Sequence, residues 1–368
     1  MDQTDKQIKS IPATGWLKRL LAALCIALLL IACLTAWTDP FFHYHAPRPG
    51  FFYELSNERA QNNGIVRHFS YDALITGTSF TQNFRTSEMD ALFHCKSVKT
   101  SFSGATQKEM ADLMETAMLS RDVRYIVASA SDVTNSFIHD KDYLQDSFEY
   151  PTYLYNNNPF DDVSYLLNRD VLVQYVLPMI GRKLAGREGG VTSFDAYSNW
   201  TATKTTRGIT AMGDLTEFDN AVEQKPLTEE EIALVRENVG QNLVRLANEN
   251  PDTTFLLFLP PYSIAAWGMF YTDGMALKYI EAERLAIELL LQCDNVRLYS
   301  FGLDRELVCD FDNYADRTHY VEEINSRILA ELADEDSRYR ITKKNAQAHT
   351  TGMEELYLHY DYESLADK

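Results

Sequence analysis

The sequence predicts an α/β protein: a three-layer α/β/α domain around a mainly parallel five-stranded sheet, preceded by one N-terminal transmembrane helix. Three observations predict it. Short apolar runs recur with amphipathic helical patterns between them, the pattern of a parallel sheet covered on both faces. Two of those helical patterns open on Thr-x-x-Glu capping boxes. A single long uncharged apolar run stands near the N-terminus.

That run, Leu20 to Trp37 (LLAALCIALLLIACLTAW), spans roughly 27 Å as a helix, close to the thickness of a hydrocarbon core. Lys6, Lys9, Lys18 and Arg19 precede it, and the first base after it is Arg48. Positive flanks stay inside, so residues 1–19 are expected in the cytoplasm, 20–38 in the membrane, and the remainder outside the cytosol. Two other readings of the run stay open. "LIAC" (Leu30 to Cys33) resembles a lipobox, and a cleaved signal is the third possibility, although "TAWTDP" is a poor cleavage site. All three put the bulk of the chain outside the cytosol.

Residues 39–64 read as a polar, turn-rich stem, with His43 and His45 as ordinary stem residues. Strands are expected at 71–77, 97–102, 124–131, 253–260 and 296–301. Between them, "TQKEMADLMETAMLS" carries Met110, Leu113, Met114, Ala117 and Met118 on one face, behind the box Thr106/Glu109. "TEEEIALVRENVGQNLVRLANEN" starts at the box Thr228/Glu231 and stops at Asn250-Pro251. "GMALKYIEAERLAIELLLQ" and "HYVEEINSRILAELAD" complete the helical set. Together these elements define a domain at 65–335. The gap at about 133–227 is too long for a simple crossover and reads as an insertion over one end of the sheet. The tail, 336–368, carries Leu356, Tyr357 and Tyr360 for a short packed helix.

The formal charge of -19 over 368 residues argues against nucleic acid or anionic surfaces as partners. Of five cysteines, Cys25 and Cys33 belong to the apolar run. Cys95, Cys293 and Cys309 lack metal-type spacing, and Cys293 with Cys309 is the one pairing to consider. There is no phosphate loop, dinucleotide fingerprint or H-E-x-x-H, so neither cofactor nor metal is expected.

Ligands of open α/β sheets bind at the carboxyl ends of the strands. Those ends carry Gly77-Thr78-Ser79, then Ser103-Gly104-Ala105, then Ser131-Asp132 with Asn135. "PPYSIAAW" with Tyr262 and Trp267 follows the fourth strand, and Asp316 and His319 follow the fifth. Alone, Ser79 reads as a helix cap more readily than as a nucleophile. Taken jointly, the set assembles a serine hydrolase. Ser79 attacks an acyl carbon, His319 takes its proton, Asp316 orients the imidazole, and the N–H groups of Ser79 and Gly104 face the oxyanion. Thr78, Asp132, Asn135, Tyr262 and Trp267 are candidates to line the substrate site, and Tyr197 and Trp200 of the insertion are candidates for a lid.

"GTSF", "FSGAT" and "DRTHY", in that order, resemble blocks of the SGNH (GDSL-like) hydrolase superfamily over about 71–334. The whole chain is similar to bacterial membrane-anchored SGNH-like envelope proteins. The resemblance implies Ser79 as nucleophile, Gly104 as oxyanion donor and Asp316/His319 as the D-x-x-H pair. Two positions depart from the pattern. Thr78 stands where the first block has aspartate, and "ASASDVTNSF" lacks the G-x-N-D asparagine. The implied function is that of an extracytoplasmic serine esterase or O-acyltransferase at the bacterial cytoplasmic membrane. Its substrates would be acylated envelope glycans or carriers, and a membrane acyltransferase is a possible partner. The alternative is a non-catalytic binding or assembly subunit of an envelope acylation system.

Overall fold

The computed structural model describes residues 13–130, 137–145, 150–204 and 206–368. The N-terminal flank 1–12, Asp132 and Asn135 lie outside the described residues. The chain divides into two compact units: residues 1–54 with 152–191, and residues 55–151 with 192–368.

The larger unit is α/β and holds a six-stranded mixed sheet. Its strands are β1 (Ala73–Thr76), β2 (Ser97–Lys99), β3 (Tyr125–Ser129), β4 (Thr254–Leu259), β5 (Val296–Ser300) and β6 (Arg340–Ile341). The spatial order is β2-β1-β3-β4-β5-β6. The first five pair in parallel, and β6 joins β5 antiparallel, with Leu298 opposite Ile341 and Tyr299 opposite Arg340. The sheet is therefore mixed and six-stranded rather than five-stranded. The extra edge strand comes from the tail, and two residues are too few to show a period. All four residues of β1 are buried, as are the last five of β4. Consecutive burial leaves neither face of a strand to water, which explains why these runs are apolar without alternation.

Both capping boxes form. Thr106 and Glu109 open the helix Gln107–Ser120, and Thr228 and Glu231 open Glu229–Val239. Each reciprocal pair satisfies two otherwise orphaned N–H groups, worth about 1 kcal/mol or more per cap. The helix Glu58–His68 begins inside the expected stem and packs on Gln107–Ser120. The tail contributes Ala346–Tyr357, which packs on Ile264–Thr272 and Ala276–Leu290. All five cysteines are free, Cys293 and Cys309 included.

The first strand lies inside the sheet, between β2 and β3. The chain runs from β1 out to β2, then returns past β1 to β3, so the two halves diverge between β1 and β3. That divergence opens a crevice at the carboxyl ends of these two strands. Gly77 ends β1 there with φ +136°, and a Cβ on it would lie 2.5 Å from Ser129 Oγ and 2.8 Å from Thr81. Only glycine fits so close a crossing.

The smaller unit contains the helix α1 (Ala13–Thr38), long and apolar enough to cross a membrane. Just beyond it, the buried Asp39 carboxylate accepts the backbone N–H groups of His43, Tyr44 and His45 at 2.8–2.9 Å and the hydroxyl of Tyr165 at 2.8 Å. His43 is not a loose stem residue: its Nε2 lies 3.2 Å from Asp162, which also accepts the Tyr44 hydroxyl. Two short helical stretches, Val163–Leu166 and Val171–Val176, pack against α1.

Candidate active site

The β1 end turns at Gly77 into a 3₁₀ turn, Ser79–Thr81. Its cap is Thr78, not Ser79: the Thr78 hydroxyl accepts the Phe80 N–H at 3.5 Å, while the Thr78 N–H donates to Ser129 Oγ at 3.3 Å. Thr78 is fully buried and does not line the cleft. With Thr78 occupying the capping position, the Ser79 hydroxyl is free for another partner.

That partner is His319. Ser79 Oγ lies 2.7 Å from His319 Nε2. The other ring nitrogen, Nδ1, lies 2.9 Å and 3.1 Å from the two Asp316 oxygens. The D-x-x-H spacing makes this compact, because Asp316 Oδ1 also accepts the backbone N–H groups of Thr318 (3.0 Å) and His319 (2.8 Å). Lys204 closes the group, donating from Nζ to Asp316 Oδ2 at 2.9 Å. Burial opposes ionisation of Asp316, but the hydrogen bond and charge of His319 and the hydrogen bond from Lys204 outweigh it. The carboxyl is held well below the usual range. Asp316 is thus anionic at any working pH.

The imidazole is clamped by aromatic rings. Phe80 stacks on it at 5.0 Å and 27°, and Trp200 meets it edge-on at 5.2 Å. The Phe80 carbonyl accepts from Tyr320 (3.0 Å) and Asn325 (2.8 Å), fixing the Ser79–Thr81 turn to the helix Glu322–Ala333. Below the turn, Lys99 is fully buried and donates to the carbonyls of Gln82 (2.5 Å) and Phe84 (2.9 Å). Burial pushes its ammonium down to about 7.

These groups face a cleft of about 710 Å³. Ser79, Gly104, Asp316 and His319 all line it, as do Tyr262, Trp200 and Glu58. Gly104 has φ +57°, a left-handed conformation suited to glycine. Among the described residues, neither the Ser79 nor the Gly104 backbone N–H donates a hydrogen bond. Both donors are therefore open to a ligand oxygen in the cleft. Trp267, by contrast, is 1% exposed and stacks on Tyr357 at 4.1 Å, inside the core. Ser263 caps the helix Ile264–Thr272 and turns Trp267 inward one turn later. Tyr197 is likewise buried, its hydroxyl donating to Asn62 at 2.8 Å, so of the two lid candidates only Trp200 reaches the cleft.

Three site residues carry no sequence signal of their own. Lys204 belongs to the aperiodic insertion, which Asp195 and Asn199 fasten through Thr86, Ser87 and Glu322. Gln82 follows the Ser79–Thr81 turn. Glu58 opens the helix Glu58–His68, accepting the Ser103 N–H at 2.7 Å and the Gln82 amide at 2.5 Å. It thereby ties the Ser103-Gly104 turn to the Ser79–Thr81 turn. Burial pushes its carboxyl above the usual range, although these hydrogen bonds pull the other way.

A serine hydroxyl on an imidazole, backed by a carboxylate in a cleft lined by two residues whose N–H groups have no partner among the described residues, can support nucleophilic acyl transfer. The chain matches no family model and no curated protein sequence.

Proposed function

We propose that the chain is a membrane-anchored serine esterase or O-acyltransferase of the SGNH type, acting outside the cytosol of a bacterium on acylated envelope glycans or carriers. The observation that carries this reading is the continuous line from Ser79 Oγ through His319 to Asp316, with contacts of 2.7 Å and 2.9 Å. The parallel strands around β1, with the site at their carboxyl ends, support the fold part of the reading. The apolar α1 supports the anchor.

In this mechanism Ser79 Oγ attacks the ester carbonyl as its proton passes to His319 Nε2. Asp316 stabilises the imidazolium, and the carbonyl oxygen takes its charge towards the N–H groups of Ser79 and Gly104. Collapse breaks the ester C–O bond, and the leaving alkoxide takes the proton from His319. Water or a second hydroxyl then attacks the acyl-serine by the same route. Hydrolysis and transfer differ only in which acceptor reaches the cleft.

The test is an alkyl fluorophosphonate probe on the detergent-purified full chain. Wild type should be labelled once, on Ser79. Ser79→Ala should abolish labelling, and His319→Ala should slow it by about 10³-fold or more. Equal labelling of wild type and Ser79→Ala, or no labelling of either, would shift the reading to a non-catalytic binding subunit.

A further inference from the structure

The helical run at 169–184 in the smaller unit is apolar on two faces. Val171, Val176 and Met179 are buried on one. On the other, Val173, Leu177 and Leu184 stand 51%, 50% and 83% exposed. Leu177 and Leu184 are seven residues apart, two helical turns, and Val173 precedes Leu177 by about one turn, so the three form a single stripe. Just ahead, Phe160 is 88% exposed and Val163 53%. A helix apolar on both faces is matched to a core or to lipid, not to water.

The surroundings of this stripe select lipid. The segment packs against α1 within one compact unit, and the Asp39–Tyr165 hydrogen bond fixes it next to the residue at which α1 ends. Aromatic residues gather at that same end. Trp37 is half-exposed and packs edge-on against Phe51 at 5.2 Å, and Phe41 stacks on Tyr165 at 5.3 Å. The two bases of the run's last turn lie over these rings: Lys183 Nζ is 3.8 Å from the Phe51 centroid, and Arg182 is 4.4 Å from that of Phe52. Long basic side chains lying across aromatic rings beside an exposed apolar stripe are the composition of a membrane–water interface.

We propose that residues 160–184 form a second membrane contact: an interfacial segment that buries Val173, Leu177 and Leu184 in the leaflet at the C-terminal end of α1. The inference rests on the reading of α1 as a membrane span. Its occupant is lipid, because the surface is continuous with that span and fastened to its end. Two contacts hold this unit at a defined depth and orientation, where a single helix would leave it free to swivel.

The test uses the full chain with its five native cysteines replaced and one new cysteine at Val173, Leu177, Leu184 or Leu28. Each variant carries an environment-sensitive NBD label and is reconstituted into phosphatidylcholine vesicles with nitroxide lipids, the nitroxide either near the headgroup or at the chain end. Labels at 173, 177 and 184 should show blue-shifted emission and stronger quenching by the shallow nitroxide. The label at 28 should be quenched more by the deep one. Water-like emission at 173, 177 and 184 with Leu28 quenched would overturn the interfacial contact alone. A blue shift without nitroxide quenching would overturn it in favour of a protein neighbour. An unquenched label at 28 would remove the membrane span itself, and the inference with it.

Discussion

Replacing Asp316 with asparagine separates the two duties of the carboxylate, fixing the imidazole tautomer and stabilising its positive charge. The backbone N–H groups of Thr318 and His319 both point at Oδ1, at 3.0 Å and 2.8 Å, and they accept no amide nitrogen there. In Asp316→Asn they hold the amide carbonyl at the Oδ1 position, 2.9 Å from His319 Nδ1. Nδ1 therefore keeps its proton and its acceptor, and Nε2 still faces Ser79 as a base. What is lost is the charge, together with the acceptor that Oδ2 offers Lys204 Nζ. A pair of unit charges at about 4 Å interacts by about 4 kcal/mol at an effective dielectric of 20. The Asp316 side chain is 35% exposed, so solvent reduces this to about 2–3 kcal/mol. At 1.36 kcal/mol per decade the labelling rate with a fluorophosphonate should fall by about 10²-fold. A triad whose tautomer is reversed loses about 10⁴-fold. The assay is the second-order rate constant for probe labelling of the full chain in micelles, compared with Ser79→Ala as the zero. A loss near 10⁴ would show that the backbone donors do not orient the amide. An unchanged rate would take Asp316 out of the site.

Three further outcomes are expected. Gly77→Ala places a Cβ 2.5 Å from Ser129 Oγ at φ +136°, so it should destabilise by about 2–4 kcal/mol and slow Ser79 labelling; a thermal midpoint equal to wild type would contradict the close crossing. Trp267→Ala empties a core site stacked on Tyr357 and should cost about 3–5 kcal/mol while leaving the labelling rate of the folded fraction unchanged; a selective loss of labelling would return Trp267 to the cleft. Glu283 is buried, which raises its carboxyl from the ordinary 4.5 to about 8. The folded state thus binds the extra proton between these values, and stability falls as pH rises through them. Glu283→Gln should flatten that slope and gain up to about 3 kcal/mol at pH 7, read as the midpoint difference between pH 5 and pH 8; an unaltered slope would assign it to other groups.

What the sequence reveals of the fold is what is encoded locally. Strands β1 and β4 are short apolar runs, and the two capping boxes lie within four residues each, so neither needs knowledge of the rest of the chain. The helix Glu58–His68 escapes the same reading because its buried face carries Gln61, Asn62 and Asn63. Asn62, for example, donates to the Ser101 carbonyl at 3.0 Å and accepts from Tyr197, so polarity there reflects specific partners rather than solvent. Hydrophobic periodicity has nothing to register in such a helix.

The site divides along the same line, and Ser79 shows where. A serine after a strand is ambiguous in one dimension because capping and nucleophilic attack call for the same hydroxyl. In three dimensions Thr78 holds the cap, and the Ser79 hydroxyl instead lies 2.7 Å from His319 across 240 residues. Motif order is enough to nominate Ser79, Gly104, Asp316 and His319, since each follows a strand end and strand ends converge. Lys204 cannot be nominated that way. It reaches Asp316 only because Asp195 and Asn199 fasten an aperiodic loop to two separate helices, a consequence of tertiary packing alone. Its Nζ shares the Asp316 carboxylate with His319. The loop that carries Lys204 and Trp200 therefore bears on both the shape of the cleft and the charge beside the Asp316–His319 pair.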